Sequence, residues 1–420
     1  NPYLEEQVVA ARARTVPWEG YHRANLITAE ELEQIRMLEQ DATGCMRKRP
    51  EAFAQLILGL LAKLGRKDTI QSVLISLQSL LTDDPTVANV FARIRSPVYD
   101  HASPYTPLLN LLRNEDEFIQ LETASILSLL LSRADQMPAG ADVSEYYTYL
   151  VMSLQNPNPP VVDLIVQFIQ TLVQAPRHRV AFYRIPGALS ALTGQLRKTT
   201  VAQMQYQITC VFWLLTFNQD IAADLQKKYD IVPLLVDIGK TAIKEKVVRV
   251  VAATLRNLLI KAPTENFPAM LASHVHTWAE TLLTRQWTDD DVREDLTYLH
   301  EEVAAYAAKL STFEAYVAEV RSGKLVWSPP HRSDAFWKVN GERFCEREYE
   351  IVRALGRLLM TGSMTPQTLA IAAHDIGQFV KFVPLGKRFL QNSGIKTRIM
   401  ELMTHDDPDV RQQALMATQK

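Results

Sequence analysis

The sequence predicts an all-helical protein, and three observations lead to this fold class. Apolar residues recur at helical spacing along nearly the whole chain, whereas the alternation that marks strands is almost absent. Glycine supplies only 15 of the 420 residues, about half its usual share in proteins. Hydrophobic residues make up 47% of the chain, which is enough for a large buried core. At about 150 residues per domain, this length indicates one very large domain or two to three ordinary ones.

Several helix starts can be placed from capping residues. Thr28 followed by Glu31 is a capping box, in which each side chain satisfies a backbone amide at the helix start. Three further starts combine a capping side chain with a proline at the first helical position, namely Asp84-Pro85, Asn158-Pro159 and Asp407-Pro408. Repeated starts of this kind, separated by short breaks, predict many medium-length helices in series.

Strong apolar endings of successive helices recur at a nearly constant interval. They fall at Leu80, Leu129, Leu172, Leu214 and Leu258, which lie 49, 43, 42 and 44 residues apart. HEAT and armadillo repeats have periods of about 40–47 residues. The spacing therefore predicts an armadillo/HEAT-like right-handed helical solenoid in which these leucines are buried. A helical domain without repeats is the alternative.

The regular pattern stops before residue 322. Residues 322–333 include Gly323, the consecutive prolines Pro329 and Pro330, and several serines, a composition typical of a linker. Helical periodicity then resumes and continues to the end of the chain. The sequence therefore predicts an N-terminal solenoid at 1–321, a linker at 322–333 and a smaller helical C-terminal domain at 334–420.

Composition excludes several classes of protein. The three cysteines are scattered and form neither a disulfide framework nor a zinc-binding pair, which is typical of a reducing compartment: Cys45, Cys210 and Cys345. No apolar run approaches the roughly 18 residues of a transmembrane helix, and the start of the chain lacks signal-peptide features. The net charge of −2 argues against a nucleic-acid binder, which needs a strongly basic surface.

Candidate catalytic motifs are poor. His274 and His276 have no carboxylate or cysteine at metal-ligand spacing, and residues two apart on a helix diverge. Gly386-Lys387-Arg388 lacks the earlier glycine and the hydroxyl of a phosphate-binding loop. His374 and Asp375 are sequence neighbours and do not face each other, so we interpret them as part of close helix packing. The sequence predicts a protein that is not an enzyme, with no catalytic residue, metal or cofactor.

The distribution of charge points to partner surfaces. No acidic residue occurs between Asp163 and Asp220, and cations again dominate the following helices, so a near-neutral chain carries a basic middle. A second acid-free stretch covers 376–400, where Pro384 and Gly386 break a helix. Such stretches are either solvated faces or contacts for acidic partners. The partner-binding candidates are Arg197, Arg249, Arg256, Asn257, Lys381, Lys387 and Arg388.

Motifs distributed over the whole chain resemble a known family. The most specific lie toward the C terminus: Leu325-Val326-Trp327-Ser328-Pro329, Phe336-Trp337, Ala372-Ala373-His374-Asp375-Ile376-Gly377 and Gly386-Lys387-Arg388. Others are Trp18-x-x-Tyr21 with Ile27-Thr28-Ala29-Glu30, and Leu255-Arg256-Asn257 within a repeat helix. Together they resemble the H-subunit family of the vacuolar-type proton-pumping ATPase (V-ATPase).

This resemblance implies both a fold and a function. It implies an armadillo/HEAT-like N-terminal domain and a smaller helical C-terminal domain in a non-catalytic regulatory subunit of the peripheral sector. Such a protein would support coupled ATP-driven proton transport, hence vacuolar acidification, and would inhibit ATP hydrolysis by the detached sector. The implied partners are the peripheral stalk, the nucleotide-binding subunits, the rotor and the cytosolic domain of the membrane collar subunit. The implied location is the cytoplasmic face of vacuolar and endosomal membranes, reached only through the complex.

A different class of function is an adaptor that binds peptide cargo in trafficking, because helical solenoids commonly hold peptides in a concave groove. Importin-like groove readers repeat Trp-x-x-x-Asn in several units. Here Trp213 and Asn218 are five residues apart, and Asn257 is the one groove-like asparagine. This departure favours the pump component over the adaptor.

Overall fold

The computed structural model describes residues 2–94, 103–137, 142–310, 313–384 and 386–420. Helices joined by short turns make up these residues, and no strand occurs among them. The chain divides into two compact units, Asn1–Leu299 and His300–Lys420. The predicted helical fold class, with a large N-terminal and a smaller C-terminal part, is confirmed.

The first unit is a succession of helices of six to 17 residues, followed by the start of a longer one. Its helices are α1 Pro2–Arg12, α2 Trp18–Arg23, α3 Ala29–Gln40, α4 Ala42–Lys48, α5 Pro50–Lys63, α6 Lys67–Asp83, α7 Val87–Arg93, α8 Thr106–Leu111, α9 Glu117–Arg133, α10 Ser144–Ser153, α11 Pro159–Gln174, α12 Pro176–Tyr183, α13 Ala188–Lys198, α14 Ala202–Leu215, α15 Gln219–Tyr229, α16 Ile231–Thr241, α17 Glu245–Lys261, α18 Pro263–Ala272, α19 Val275–Leu283 and α20 Asp290–Leu310.

The repeat is visible in the stacking of the longest helices. Helix α6 packs on α9, α9 on α11, α11 on α14, and α14 on α17. Side-chain hydrogen bonds join equivalent positions about one repeat apart. Asn257 donates to the Thr216 hydroxyl at 3.3 Å, and the Asn266 amide donates to the Ala222 carbonyl at 3.5 Å. Each repeat therefore buries its apolar face against its neighbours, as expected for a solenoid.

The predicted core leucines are only partly correct. Leu80, Leu172 and Leu258 are buried, whereas Leu129 and Leu214 are half-buried. In those two repeats the following residue, Leu130 or Leu215, is fully buried instead. Successive helical residues point about 100° apart, so one member of a Leu-Leu pair faces the core more directly. The sequence pattern located the pair but not the member.

The predicted helix starts also have different outcomes. The capping box of Thr28 is confirmed, with both hydrogen bonds formed, and Asp407 caps the last helix through Val410 N at 3.1 Å. Asn158 precedes α11 as predicted but donates its amide to the Tyr3 hydroxyl at 2.8 Å instead of capping the helix. At Asp84 the helix begins later, at Val87, because the carboxylate accepts from the Thr86 amide in a tight turn.

The second unit is a separate helical cluster with its own aromatic core. After the end of α20 its elements are α21 Phe313–Ser322, α22 Pro329–Arg332, α23 Asp334–Asn340, a 3₁₀ helix Gly341–Cys345, α24 Glu346–Met360, α25 Pro366–Phe382, α26 Gly386–Asn392, α27 Ile395–Leu402 and α28 Pro408–Thr418. Helix α25 lies at the centre, against α24 and α28. Gly377 allows the approach of α28, since a Cβ there would lie 2.9 Å from the Ala417 Cα.

The structure corrects the predicted linker. Residues 322–333 do not separate two cores but lie within the second unit, together with α21. Leu325 is buried in the core of this unit, and His331 has no solvent exposure. Proline and glycine punctuate the segment, yet its apolar residues are held by packing. The boundaries at 321 and 334 are therefore replaced by one at Leu299/His300, within the span of α20.

Candidate functional site

An open groove of about 600 Å³ lies along α14, α17 and the start of α20. Helix α14 and the turn after it contribute Tyr206, Trp213 and Phe217, whose spacing places them on one face. Phe217 is 42% exposed, and its ring meets that of Trp213 edge-on at 5.4 Å. Sequence reasoning did not select these aromatic residues for a groove. The signal available was their helical spacing, which also marks an ordinary core.

Three of the predicted partner-binding residues meet in this groove. Arg249, Arg256 and Asn257 all lie on α17 and line the cavity. Arg197 is not among the lining residues. It lies at the end of α13 and donates to the Tyr229 carbonyl at 3.0 Å, next to the C terminus of α15. The structure thus brings three of the four N-terminal candidates together and separates the fourth.

Acidic residues just before and within the first turns of α20 compensate the groove arginines. Arg249 contacts Asp289 at 2.8 Å, and Arg256 contacts Asp295 at 2.6 Å and Glu294 at 3.2 Å. The predicted basic middle is therefore not a purely cationic surface at this point, because the next repeat supplies its counter-charges.

The Arg256–Asp295 pair is the most buried of these contacts. Burial raises the pKa of the Asp295 carboxyl, and the nearby guanidinium opposes that rise only in part. The hydrogen bond to Asp295 raises the pKa of Arg256 in turn. Removing one partner would leave the other charge poorly solvated, so this contact links α17 to α20. Arg256 therefore has a structural role besides lining the groove.

The three candidates of the second unit bracket a break between helices. Lys381 lies in the last turn of α25, whereas Lys387 and Arg388 lie in the first turn of α26 and are exposed. Gly386 is required there, since a Cβ would lie 2.3 Å from the Phe379 ring. Lys381 forms an ion pair with Asp334 at 2.8 Å. Lys387 lines a small cavity of about 160 Å³ together with Lys396 and Lys420.

The structure also contains a buried charged network that sequence reasoning missed. His331 Nδ1 lies 2.6 Å from the Asp375 carboxylate, and its Nε2 lies 3.2 Å from Glu319. The Tyr316 hydroxyl donates to the same Asp375 oxygen at 2.9 Å. The network therefore joins α21, α22 and α25. Asp375 pairs mainly with a histidine 44 residues away, and its sequence signal was merely an acid within an apolar helix.

The charges in this network support one another. Burial lowers the pKa of His331, but the Asp375 and Glu319 carboxylates outweigh it and raise this pKa to about 9. Burial opposes the charge on Asp375, yet His331 holds the pKa of that carboxyl below its usual range. His331 and Asp375 have no exposed side-chain surface. A substrate therefore has no access to them, and the network serves packing rather than catalysis.

Two further properties concern other classes of site. In the part of the chain that the structure describes, no cluster of histidine, cysteine or carboxylate side chains is arranged to hold a metal ion. None of the helices in the same residues combines the length and apolar character needed to cross a membrane. The geometry available for function is thus that of surfaces and grooves.

Comparison with known proteins identifies the family. The N- and C-terminal parts of the V-ATPase H-subunit family match residues 2–303 and 309–420. The V-type proton ATPase H subunit of Drosophila melanogaster is 32% identical over 426 aligned positions, which cover 99% of this chain and 89% of that protein. The Dictyostelium discoideum protein of the same name is 29% identical and covers 97% and 92%. A designed armadillo repeat protein covers 60% of this chain and 99% of its own, with a TM-score of 0.47 and 14% identity. Since the family matches extend across both units, the chain belongs to the H-subunit family of the V-ATPase.

Proposed function

We propose that this chain is a non-catalytic regulatory subunit of the V-type proton ATPase peripheral sector. In the assembled pump it supports coupling of ATP hydrolysis to proton transport, and on the detached sector it inhibits hydrolysis. The observation that carries this proposal is the family match across both units of the chain. The partners are the peripheral stalk, the nucleotide-binding subunits, the rotor and the cytosolic domain of the collar subunit, at the cytoplasmic face of vacuolar and endosomal membranes.

In this proposal the two units have different tasks. The solenoid anchors the chain to the sector, since it offers the larger surface. The second unit restrains the rotor through cations at the α25–α26 break, of which Lys387 and Arg388 are exposed. To change its occupancy from 1:99 to 99:1 between detached and assembled states, its two sets of contacts must differ by about 5.5 kcal/mol. Several charged hydrogen bonds of about 1.5–3 kcal/mol each would supply this difference.

The test is an ATP hydrolysis assay on detached sector from which this component has been removed. We expect the purified full chain to suppress hydrolysis and the double variant Lys387→Glu/Arg388→Glu to suppress it less. The matched control is Lys338→Glu, an exposed lysine on α23 of the same unit, which should suppress hydrolysis as the wild type does. Undiminished hydrolysis with the wild-type chain would contradict the proposed function. Full suppression by the double variant would instead remove the brake from the α25–α26 break.

The groove supports a second candidate, an adaptor that binds peptide cargo. Its volume of about 600 Å³ and its exposed Phe217 beside Trp213 and Asn257 would admit an extended segment. Co-purification from intact cells separates the two candidates. Stoichiometric recovery of V-ATPase subunits supports the pump role, whereas recovery of cargo proteins that is lost in Trp213→Ala supports the adaptor.

A further inference from the structure

Two apolar side chains are exposed at equivalent positions of neighbouring repeats. Val201 is 61% exposed immediately before α14, and Ile243 is 94% exposed in the short turn before α17. The two residues are 42 apart, which is the interval of the repeat in this region. Their exposure is therefore a feature of two successive units rather than of one irregular loop.

The turns that carry these residues are adjacent along one edge of the solenoid. Lys246, at the start of α17, donates to Gln203, at the start of α14. Glu245 accepts hydrogen bonds from the Thr288 amide at 3.0 Å and from the Thr288 hydroxyl at 2.7 Å, just before α20. The beginnings of three successive long helices are thus joined side by side. We refer to Val201 and Ile243 on this line as the apolar edge.

The apolar edge is surrounded mainly by cations. Lys198, Lys240 and Lys244 are exposed, and none of them forms an ion pair with another described residue. Of the nearby acids, Glu245 is engaged at the start of α20, while Asp237 on α16 is exposed. Lys198 and Lys240 lie in the last turns of α13 and α16, where a cation stabilises the helix end. That role explains these two lysines but gives no reason for an isoleucine that is almost fully in water.

The spacing of the edge fits a helix. Packed helices lie about 8–10 Å apart, so Val201 and Ile243 are separated by about one such step. In a partner helix, residues i and i+7 are about 10.5 Å apart and share a face. An extended strand spans a similar distance in three residues, but residues i and i+3 point to opposite faces. A helix that crosses the repeats can therefore place two apolar residues of one face on the two positions.

From this geometry and charge we infer that the apolar edge binds an amphipathic helix of another V-ATPase subunit, with its apolar stripe flanked by acidic residues. This inference rests on the proposed function, because the partner is sought within the ATPase sector. Burial of Ile243 and Val201 would supply the specific contact, and the lysines would orient the approach and accelerate association. This surface differs from the groove, where the arginines are compensated by carboxylates of α20.

The test measures binding of the full chain to detached ATPase sector from which this component has been removed, at low and at physiological salt. The edge variants are Ile243→Ser and the double charge reversal Lys198→Glu/Lys244→Glu. The matched controls are Met152→Ser, a 70% exposed apolar residue on α10, and Lys227→Glu, an exposed lysine on α15. All four changes are at the surface, and their folding is checked by the thermal unfolding midpoint.

We expect Ile243→Ser to weaken binding about tenfold, as for a residue central to an interface. The charge reversal should slow association about tenfold at low salt and reduce the salt dependence of the rate. Wild-type binding that the edge variants leave unchanged overturns the inference while leaving the proposed function intact. Equal losses in the edge and control variants overturn it as well, since the effect would then be general. Failure of the wild-type chain to bind the sector rejects the proposed function itself.

Discussion

Replacement of His331 by glutamine tests the buried network that holds α21, α22 and α25 together. The imidazolium lies between the Asp375 and Glu319 carboxylates, and Asp375 has no exposed surface. Removing one member of a buried ion pair typically costs about 3–5 kcal/mol, because the remaining charge is left uncompensated. The pKa gives a similar magnitude. A rise from 6.5 to about 9 corresponds to roughly 3 kcal/mol, at about 1.4 kcal/mol per unit.

The pH dependence has a definite sign. Because the pKa of His331 is higher in the folded chain than in the unfolded one, its contribution is fully present below pH 6.5. It is lost as the pH rises through about 9. We therefore expect the stability difference between wild type and His331→Gln to be largest at and below about pH 6.5 and to shrink toward pH 9 and above. The other groups that face this histidine are Tyr316, Glu319, His374 and Asp375, with Lys420 near Asp375.

Chemical denaturation and hydrogen exchange of the α25 amides measure this effect in the full chain. The matched control is Lys338→Gln, an exposed change on α23 of the same unit. Adding Asp375→Asn to His331→Gln should recover part of the loss, since it removes the uncompensated charge. If the two single changes simply add, or if the loss does not decline once the pH exceeds about 9, the ionic account of this network is wrong.

Two further predictions concern packing. Leu215→Ala should reduce the free energy of unfolding by about 2–5 kcal/mol, because Leu215 is fully buried in its repeat, and Leu214→Ala should reduce it less; equal losses in denaturant unfolding would contradict the register described above. Gly377→Ala should cost about 1–3 kcal/mol, because its Cβ would lie 2.9 Å from the Ala417 Cα. Gly362→Ala, where nothing lies within 4 Å of the new Cβ, is the control, and a thermal midpoint equally lowered in both variants would refute this reasoning.

The sequence by itself determined the class of the fold and the family. Helical periodicity, the capping box at Thr28 and the near-constant interval between apolar helix endings are local properties, and local properties of the chain persist when helices pack. The C-terminal motifs carried the resemblance for the same reason, since they require no knowledge of contacts. Three of the four N-terminal candidates were grouped correctly in the groove because Arg249, Arg256 and Asn257 share one helix face.

Tertiary structure alone decided which residues meet across long separations. The segment 322–333 has the composition of a linker, but burial of Leu325 and His331 makes it part of the second unit. The basic middle is locally acid-free, but Asp289 and Asp295 lie 40 and 39 residues beyond the arginines that they compensate. His331 and Asp375 likewise become partners only through packing. Electrostatic energy depends on distance in space, and a one-dimensional pattern gives that distance only within a single helix or turn.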